Sequence, residues 1–240
     1  MKNKEVNTEL EPEYLFGISL YNYFREWVPE NKKILKAFLT TFPKGDKKLA
    51  IEQLEQVSTE AFYTRIEAMR YLTNIYARYE NEYYKAWKYI KKLHENYPNN
   101  PYFARTYVII AYHTGRQAEC IKACKMALQK VEKNNTGYEN ETGRICSFML
   151  GHFYDAEKNY NKAEYYYTEC LKYTELPNAY STIYTINGLE KCAKYALTRN
   201  DSQTAYFYYY KIKSLSNNKK GETYKEAKKF LKKNKKEFKQ

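Results

Sequence analysis

Apolar side chains recur at every third or fourth position through most of the 240-residue chain. At this spacing side chains share one face of an α-helix. Prolines stand between the periodic segments and indicate helix boundaries, because proline has no backbone N–H to donate; they are Pro29, Pro43, Pro98, Pro101 and Pro177. The Val and Ile alternation that is typical of strands is missing. The pattern therefore predicts an all-α chain.

A longer pattern occurs five times along these predicted helices. In each copy a polar turn precedes a small residue, a larger residue follows four positions later, and an apolar or small residue follows three positions after that. The small residues are spaced by 36, 34, 43 and 42 positions and are Ala50, Ala86, Cys120, Ala163 and Ala205. The next two sets are Leu54, Ile90, Cys124, Tyr167 and Tyr209, then Val57, Leu93, Ala127, Cys170 and Ile212. The chain is therefore predicted to repeat a unit of helix, short turn and helix.

Small residues in this pattern have a predicted packing role. In the stretch FMLGHFYDAEKNYNKAEYYYTECL, Gly151 and Ala163 stand on consecutive predicted helices, and Tyr154 and Tyr167 follow them. The distance between two packed helices depends on the size of the side chains at their contact. We therefore expect helix backbones to cross closely at Gly151 and Ala163, with the tyrosines filling the space around the crossing.

The best copy of this unit runs from Ser147 to Pro177 and carries Leu150, Gly151, Tyr154, Ala163, Tyr167 and Cys170. These residues resemble the tetratricopeptide repeat, whose first helix has Leu-Gly and Tyr and whose second has Ala and an aromatic residue. The segment from Glu67 to Pro98 resembles the same repeat with one extra residue in its turn. The resemblance covers about Lys32 to Asn217. It implies an α-α superhelix, a right-handed solenoid of antiparallel helix pairs.

The two ends of the chain differ from the repeats. The N-terminal part predicts an entry helix from Tyr14 to Trp27 and is similar, with the following FPKGD, to the tetratricopeptide-repeat protein 39 group. Near the C-terminus an apolar stripe among lysines is typical of a helix that caps a repeat array; it consists of Tyr224, Ala227, Phe230 and Leu231. We predict one domain in three parts: an entry helix in 1–30, about five repeats in 31–217, and a basic capping helix in 218–240.

The family resemblance also implies a binding surface, because the first helices of such repeats line a concave groove. The inward positions in this chain are Arg70, Asn74, Arg78, Tyr102, Arg105, Tyr112, His113, Phe148, His152, Glu190 and Lys194. Their cationic and aromatic side chains suit an acidic or extended peptide. Arg70 and Asn74 occupy places of the family's carboxylate clamp, but Thr106 replaces the Asn expected next. The resemblance thus implies a scaffold that binds a protein or peptide partner, with a clamp for acidic C-termini in doubt.

The net charge of +13 raises a second class of function, nucleic-acid binding. Ten Lys and three Glu between Lys219 and Gln240 supply +7 of it, and rings in the tyrosine runs could stack on bases. However, only 8 of the 41 basic residues are Arg, the side chain suited to bidentate contacts. Lys, Tyr and Asn share AT-rich codons, so codon bias explains the many lysines without a nucleic-acid partner. Consecutive helical residues point in different directions, so only one or two rings of each tyrosine run share a face. A nucleic-acid module using the basic C-terminal helix and exposed tyrosines is therefore the alternative.

Residues that often carry chemistry fall at core positions. Cys120 and Cys124 lie four apart with His113 seven positions before the first, but structural zinc needs a further pair of ligands. Cys146 and His152 lie six positions apart, on different faces of one predicted helix, and therefore do not form a catalytic dyad. We expect no enzyme activity, no metal and no cofactor.

Cysteine usage and the N-terminal sequence suggest a compartment. The five cysteines are an odd number and fall mostly at buried phases, which indicates free thiols in a reducing environment. The polar start MKNKEVNTELEPE differs from a signal peptide, and the apolar run YVIIAY is too short to cross a bilayer. We therefore expect a cytoplasmic protein. The many Lys, Tyr and Asn residues indicate an AT-rich genome, and we expect a bacterial source. Association with the cell envelope is the alternative if a signal peptide was removed.

Overall fold

The structure, a computed structural model, describes residues 11–174, 183–235 and 238. Those residues form helices and no strand, which confirms the predicted all-α helix-pair repeat class. The helices are α1 (Glu11–Asn31), α2 (Lys33–Leu39), α3 (Lys47–Glu60), α4 (Arg65–Asn74), α5 (Tyr83–Asn96), α6 (Pro101–His113), α7 (Gln117–Glu132), α8 (Asn140–Ala156), α9 (Tyr160–Lys172), α10 (Ile183–Thr198), α11 (Ser202–Leu215) and α12 (Glu222–Lys233). Among the described residues, no helix combines the length and apolarity that crossing a membrane requires.

The chain divides into two compact units, Met1–Pro98 (unit 1) and Asn99–Gln240 (unit 2). In unit 1, α1 packs against α3, α3 against α4 and α4 against α5, while α2 packs on α1. The fully buried side chains of unit 1 come mainly from α3, α4 and α5, as with Leu54, Leu72 and Ile90. The single-domain division inferred from the sequence stays a prediction.

Helix α1 is longer than the predicted entry helix, which was limited to Tyr14–Trp27. It begins at Glu11 and continues to Asn31, with Pro29 inside its last turn. Proline in a helix removes the hydrogen bond of one backbone N–H, and the helix ends two residues later instead of at the proline itself.

In unit 2 a pair of antiparallel helices occurs three times, as α6–α7, α8–α9 and α10–α11. Neighbouring pairs meet through α7 on α8 and α9 on α10. Helix α12 lies where the sequence predicts a capping helix, and it buries Ala227 and Leu231 in a cluster with Tyr209 of α11. Pro177, assigned to the end of the best repeat copy, lies outside the described residues.

The repeated small residues occupy core positions in both units. All five have no exposed surface: Ala50, Ala86, Cys120, Ala163 and Ala205. Their partners four and seven positions later are exposed by 3% at most. The burial that the alignment predicts is therefore confirmed at every one of its fifteen positions.

Four turns between paired helices share a backbone feature that the alignment did not specify. Each has a residue in the left-handed region five positions before the small residue: Asn81, Gly115, Lys158 and Asn200, with φ of 57°, 69°, 59° and 60°. A left-handed residue commonly ends a helix and lets the chain reverse its direction. The constant interval explains why the small residue is always the fourth residue of the second helix and has the same rotation about its axis.

Helix α3 enters its repeat position differently. Gly45 stands five positions before Ala50 but is absent from the residues with positive φ. A Cβ at Gly45 would lie 2.2 Å from the backbone oxygen of Asn22, so glycine is needed here for the close approach to α1. The helix that pairs with α3 is therefore α1, and not the short α2 that immediately precedes it.

The extra residue predicted between Glu67 and Pro98 is absorbed inside a helix. After Asn74, α4 continues as one π-helical turn, Ile75–Tyr79. The closing backbone bond of this turn spans six residues, from the Glu82 N–H to the Tyr76 oxygen at 2.6 Å, whereas the equivalent bonds in unit 2 span five. The π turn thus takes up one residue while Tyr76 stays buried.

Gly151 has a different neighbour from the one predicted. A Cβ added to Gly151 would lie 2.8 and 2.9 Å from two ring carbons of Tyr167. The group that comes close is therefore a side chain of α9 and not its backbone. Because Tyr167 is itself fully buried, its ring fits only if position 151 carries no side chain.

Each tyrosine run contributes one fully buried ring. Tyr167 is buried whereas Tyr165 is 58% exposed, and Tyr209 is buried whereas Tyr210 is 59% exposed. Consecutive tyrosines therefore do point in different directions, as helix geometry requires. The five cysteines are also buried, with free thiols.

Candidate functional site

The first helices of the three pairs in unit 2, α6, α8 and α10, lie side by side. At the end of α6 the half-buried ring of Tyr112 meets His152 and Phe153 of α8 edge-on, with ring centroids 5.4 and 5.7 Å apart. The exposed ring of His113 lies 5.5 Å from that of Tyr112. Three residues predicted from the sequence, Tyr112, His113 and His152, thus form one aromatic cluster.

Both histidines of this cluster sit in surroundings that favour the neutral imidazole. Partial burial lowers the pKa of His113, whose ring is covered on one side only, and that of His152. The positive charge of Lys191 lowers the pKa of His152 further, while Asp155 acts in the opposite direction. Near pH 7 the neutral form of each ring therefore predominates, and it offers one hydrogen-bond donor and one acceptor.

A cleft of about 600 Å³ opens between the α8–α9 pair and α10. Its volume falls within the usual range of ligand-binding clefts, roughly 300–1,000 Å³. Charged side chains of both signs and two tyrosines form its walls. The lining residues are Asp155, Tyr160, Asn161, Glu164, Lys191, Lys194, Tyr195, Thr198 and Arg199.

Asp155 joins two helices at one wall of the cleft. Its Oδ2 accepts a hydrogen bond from Lys191 Nζ at 2.6 Å, and its Oδ1 accepts one from Tyr195 Oη at 2.7 Å. The two donors are four residues apart on α10 and therefore lie on the same face of that helix. Burial raises the pKa of Asp155, but the hydrogen bonds from Lys191 and Tyr195 outweigh it and lower the pKa. The carboxylate is therefore ionised and fixed in position.

The rim of the cleft carries two exposed cations that already have acidic partners. Lys194 pairs with Glu190 of its own helix and lies 3.4 Å from Glu226 of α12. Arg199 pairs with Glu164 of α9. These ion pairs orient the two cations before any ligand binds. A ligand carboxylate at the rim would share or replace their acidic partners.

A buried hydroxyl close to the cleft has no such partner. Tyr167 Oη is buried and has no hydrogen-bond partner among the described residues. Burial raises the pKa of Tyr167, and the nearby charge of Asp155 raises it further. The Asp155 oxygens, however, accept from Lys191 and Tyr195 at normal hydrogen-bond distances. The Tyr167 ring therefore stabilises the core, while its hydroxyl makes at most a weak hydrogen bond to Asp155, outside normal hydrogen-bond geometry.

Two Tyr-to-Phe variants test this difference. Tyr167→Phe should leave the free energy of unfolding unchanged or raise it by up to about 1 kcal/mol, because it removes an unsatisfied polar atom. Tyr195→Phe removes a donor to Asp155 and should lower the free energy of unfolding by about 1.5 kcal/mol. Urea unfolding followed by circular dichroism measures both. Equal losses in the two variants would mean that the Tyr167 hydroxyl also has a partner.

The remaining predicted residues of unit 2 lie away from this cleft. Arg105 of α6 reaches α8, where its Nη2 lies 3.4 Å from Glu141 Oε2 and its Nη1 donates to Thr142 Oγ1 at 3.3 Å. Tyr102 is half-buried at the start of α6. Phe148, expected to face the groove, is instead buried in the core. Of these, Arg105 joins two helices and Phe148 belongs to the packing.

Three predicted residues lie in unit 1, on α4 and the π-helical turn after it. Arg70 Nε lies 2.7 Å from Glu67 Oε2, and its guanidinium carbon lies 4.5 Å from the centre of the Tyr71 ring. Asn74 is half-buried and Arg78 is exposed. The structure thus orients Arg70 by an ion pair and a ring contact on its own helix.

The cysteines and histidines offer little for metal or covalent chemistry. In residues 11–174, 183–235 and 238, no three His, Cys, Asp or Glu side chains are placed to hold one metal ion. Burial raises the pKa of Cys170 and of Cys192 to about 12, and it also raises the pKa of Cys124. These thiols stay protonated near pH 7, and a protonated thiol is a poor nucleophile.

Sequence reasoning missed the residues that build the cleft wall. Asp155, Lys191, Tyr195 and Arg199 were not among the inward positions taken from the family resemblance. One signal was available: Lys191 and Tyr195 are spaced i and i+4 on a predicted helix. Their common acceptor, Asp155, is 36 residues from Lys191 and could be assigned only once α8 and α10 were packed together.

Comparison with known proteins gives a likeness in fold. No protein-family model and no curated protein matches the sequence. Among solved structures, the crystal structure of PilW, a widely conserved type IV pilus biogenesis factor, matches with a TM-score of 0.51 and 13% identity, over 90% of this chain and 83% of that chain. The resemblance to the tetratricopeptide-repeat protein 39 group finds no support and stays a prediction. At this identity the likeness supports one conclusion: the chain has an all-α, tetratricopeptide-like repeat fold.

Proposed function

We propose that the chain is a non-catalytic scaffold and that unit 2 binds an extended segment of a partner protein. The observation that carries this proposal is the 600 Å³ cleft with oriented charges and tyrosines on its walls. The aromatic cluster of Tyr112 and His152 lies next to this cleft and adds ring surface to it. The charges of two cleft residues, Lys191 and Asp155, act on His152, which indicates that it is close to the cleft wall. Helical repeats generally use such surfaces to bind other proteins.

The chemistry of the cleft suits a segment that carries both carboxylate and apolar side chains. Lys194 and Arg199 are exposed at the rim and offer charge-assisted hydrogen bonds. Tyr160 and Tyr195 supply ring surface, and aromatic side chains are frequent anchors of protein interfaces. Asp155 and Glu164 add negative charge, so a purely acidic ligand is less well matched than one of mixed charge.

Unit 1 offers a second set of contacts for the same class of ligand. We include Arg70, Asn74 and Arg78 in the proposal, with Tyr102, Arg105 and His113 of unit 2, on the basis of the family resemblance. The oriented guanidinium of Arg70 is the best placed of these for a carboxylate. A cytoplasmic location and a bacterial source also belong to the proposal, on the basis of the cysteine usage, the polar N-terminal sequence and the composition.

Selection of peptides tests this function directly. A library of random peptides is selected against the full chain, and the affinities of the recovered peptides are measured by fluorescence anisotropy. Lys194→Glu and Arg199→Glu should each weaken binding at least about tenfold, the loss expected for one charge-assisted contact at an interface. The matched controls, Lys125→Glu of α7 and Lys172→Glu of α9, make the same change in charge outside the cleft and should alter affinity less than about twofold.

Two outcomes would contradict the proposal. Recovered peptides that bind all four variants equally would show that the cleft is not the binding surface. The second is tight binding of a labelled single-stranded RNA that falls steeply with added salt and is lost in Lys229→Glu. It would favour the nucleic-acid alternative, because phosphate binding depends on counterion release.

A further inference from the structure

Helix α2 in unit 1 exposes the side of itself that a globular protein would normally bury. Ile34 is 90% exposed and Phe38 is 68% exposed, and no residue of the helix is buried. Leu35 is exposed as well, and Phe42 follows shortly after the helix with its ring 5.6 Å from that of Phe38. The apolar side chains thus form one continuous exposed group.

The polar and apolar residues of α2 are separated on opposite sides. At about 100° per residue, Ile34, Leu35 and Phe38 fall within one third of the helix circumference. Lys33 and Lys36 project from the opposite side. An amphipathic helix usually turns its apolar side to the protein core, whereas here that side faces the solvent.

Polar contacts hold α2 in this orientation. Arg25 of α1 donates to the backbone oxygen of Leu39, and also to that of Phe42 at 3.0 Å. Tyr21 of α1 donates to the backbone oxygen of Pro43 at 2.9 Å. The helix is therefore fixed by hydrogen bonds to the chain at its C-terminal end, while the side chains of Ile34 and Phe38 remain largely exposed.

The charge next to this apolar group is strongly positive. Six Lys and one Asp lie between Lys32 and Lys48. Lys47 has acidic neighbours in Glu30 and Glu80, at 3.0 and 3.8 Å. Four more have no acidic side chain within 4 Å among the described residues: Lys32, Lys33, Lys36 and Lys44. Lys36 and Lys44 line a pocket together with Glu26 and Glu30 of α1, whereas Lys32 and Lys33 do not. Lysines beside exposed Ile, Leu and Phe are the pattern of helices that lie in a membrane interface.

We propose that α2 binds the surface of an anionic lipid bilayer. Ile34, Leu35 and Phe38 enter the boundary between headgroups and acyl chains, and the four lysines contact lipid phosphates. The helix has seven residues, about 10 Å of length, and so lies along the surface of a hydrocarbon core about 30 Å thick. A second copy of the chain fits less well, because pairing the two apolar groups would bring two sets of unpaired lysines together.

Vesicle binding by the full chain tests the proposal. The protein is mixed with vesicles of phosphatidylcholine alone or of phosphatidylcholine with phosphatidylglycerol, and the bound fraction is measured by sedimentation at low and high salt. We expect binding to the anionic vesicles that weakens with salt, and little binding to the neutral ones. Ile34→Ser with Phe38→Ser, and separately Lys33→Glu with Lys36→Glu, should each reduce the partition constant at least about tenfold.

Unit 1 provides a matched control for each double variant. Phe62 and Tyr63, between α3 and α4, are as exposed as Ile34 and Phe38 but have no cluster of lysines beside them. Lys91 and Lys92 of α5 are exposed lysines without neighbouring exposed apolar residues on their helix turn. Phe62→Ser with Tyr63→Ser, and Lys91→Glu with Lys92→Glu, should leave vesicle binding within about twofold of the parent protein.

Three results would overturn the proposal. The first is no binding of the parent protein to anionic vesicles at low salt. The second is an equal loss in the α2 variants and their controls. The third is a parent protein that is dimeric by sedimentation velocity and becomes monomeric in Ile34→Ser with Phe38→Ser, without vesicle binding, which would assign the apolar group to a second copy. Thermal unfolding checks that the variants fold, which the exposure of the replaced side chains leads us to expect.

Discussion

Ala163→Trp is expected to lower the free energy of unfolding by about 3 kcal/mol, the upper end of the usual cost of overpacking, because it places an indole at a fully buried position. Ala163 has no exposed surface and lies in the first turn of the second helix of the α8–α9 pair. The ring of Tyr167, one turn later, already fills the space opposite Gly151. An indole at position 163 can be accommodated only if α8 and α9 move apart. Thermal unfolding should show a melting temperature lower by about 10 °C.

Tyr165→Trp is the matched control for Ala163→Trp. It introduces the same indole two residues further along α9, at a position that is more than half exposed. We expect its melting temperature to stay within about 2 °C of the parent protein, because a surface substitution rarely changes stability by more than about 0.5 kcal/mol. An Ala163→Trp protein as stable as this control would show that the repeat alignment, and with it the packing of α8 on α9, is wrong.

Tyr209→Ala is expected to cost about 3–5 kcal/mol of unfolding free energy, as truncation of a buried aromatic residue usually does. Tyr209 is fully buried, and its ring centroid lies 4.8 Å from that of Phe230 on α12. Its hydroxyl donates to Glu226 Oε1 at 2.9 Å. One side chain thus provides both packing and a hydrogen bond between α11 and α12. Urea unfolding measures the loss, and hydrogen exchange should show α12 losing protection first.

The neighbouring tyrosine separates a core role from a surface role. Tyr210→Ala removes the same type of side chain from the next position, which is more than half exposed, and should change stability by less than about 0.5 kcal/mol. Similar losses of unfolding free energy in Tyr209→Ala and Tyr210→Ala would mean that both rings are packed. The assignment of Tyr209 to the core and Tyr210 to the surface would then be incorrect.

The second helices of the pairs were predictable from the sequence because their pattern is local. A small residue, a larger one four positions on and an apolar one three positions after that define one face of one helix, as in Ala86, Ile90 and Leu93. All three have almost no exposed surface. The same reasoning separated Tyr167 from Tyr165, because rotation along a helix is fixed by its geometry.

Contacts between helices were beyond the sequence pattern. The pairing of α3 with α1 depends on Gly45 meeting the backbone of Asn22, and no periodicity signals such a contact. The cleft depends on Asp155 meeting Lys191 and Tyr195, which are 36 and 40 residues away. Arg105 contacts Glu141 and Thr142 of α8, and its sequence position did not indicate these partners. A family's inward positions identify a helix face, whereas the partners of each charge depend on the neighbouring helix.

The constant interval between the left-handed turn residue and the small residue has a consequence for how repeats change in length. The repeats differ by up to nine residues, from 34 to 43, yet this interval is five in all four turns that have the left-handed residue. One residue inserted within it would rotate the second helix by about 100° and expose the small residue. The π-helical turn after α4 shows an extra residue taken up before the interval. Length variation in this architecture is therefore tolerated before the turn and in the connections between pairs, and the five-residue interval is the segment that fixes the register.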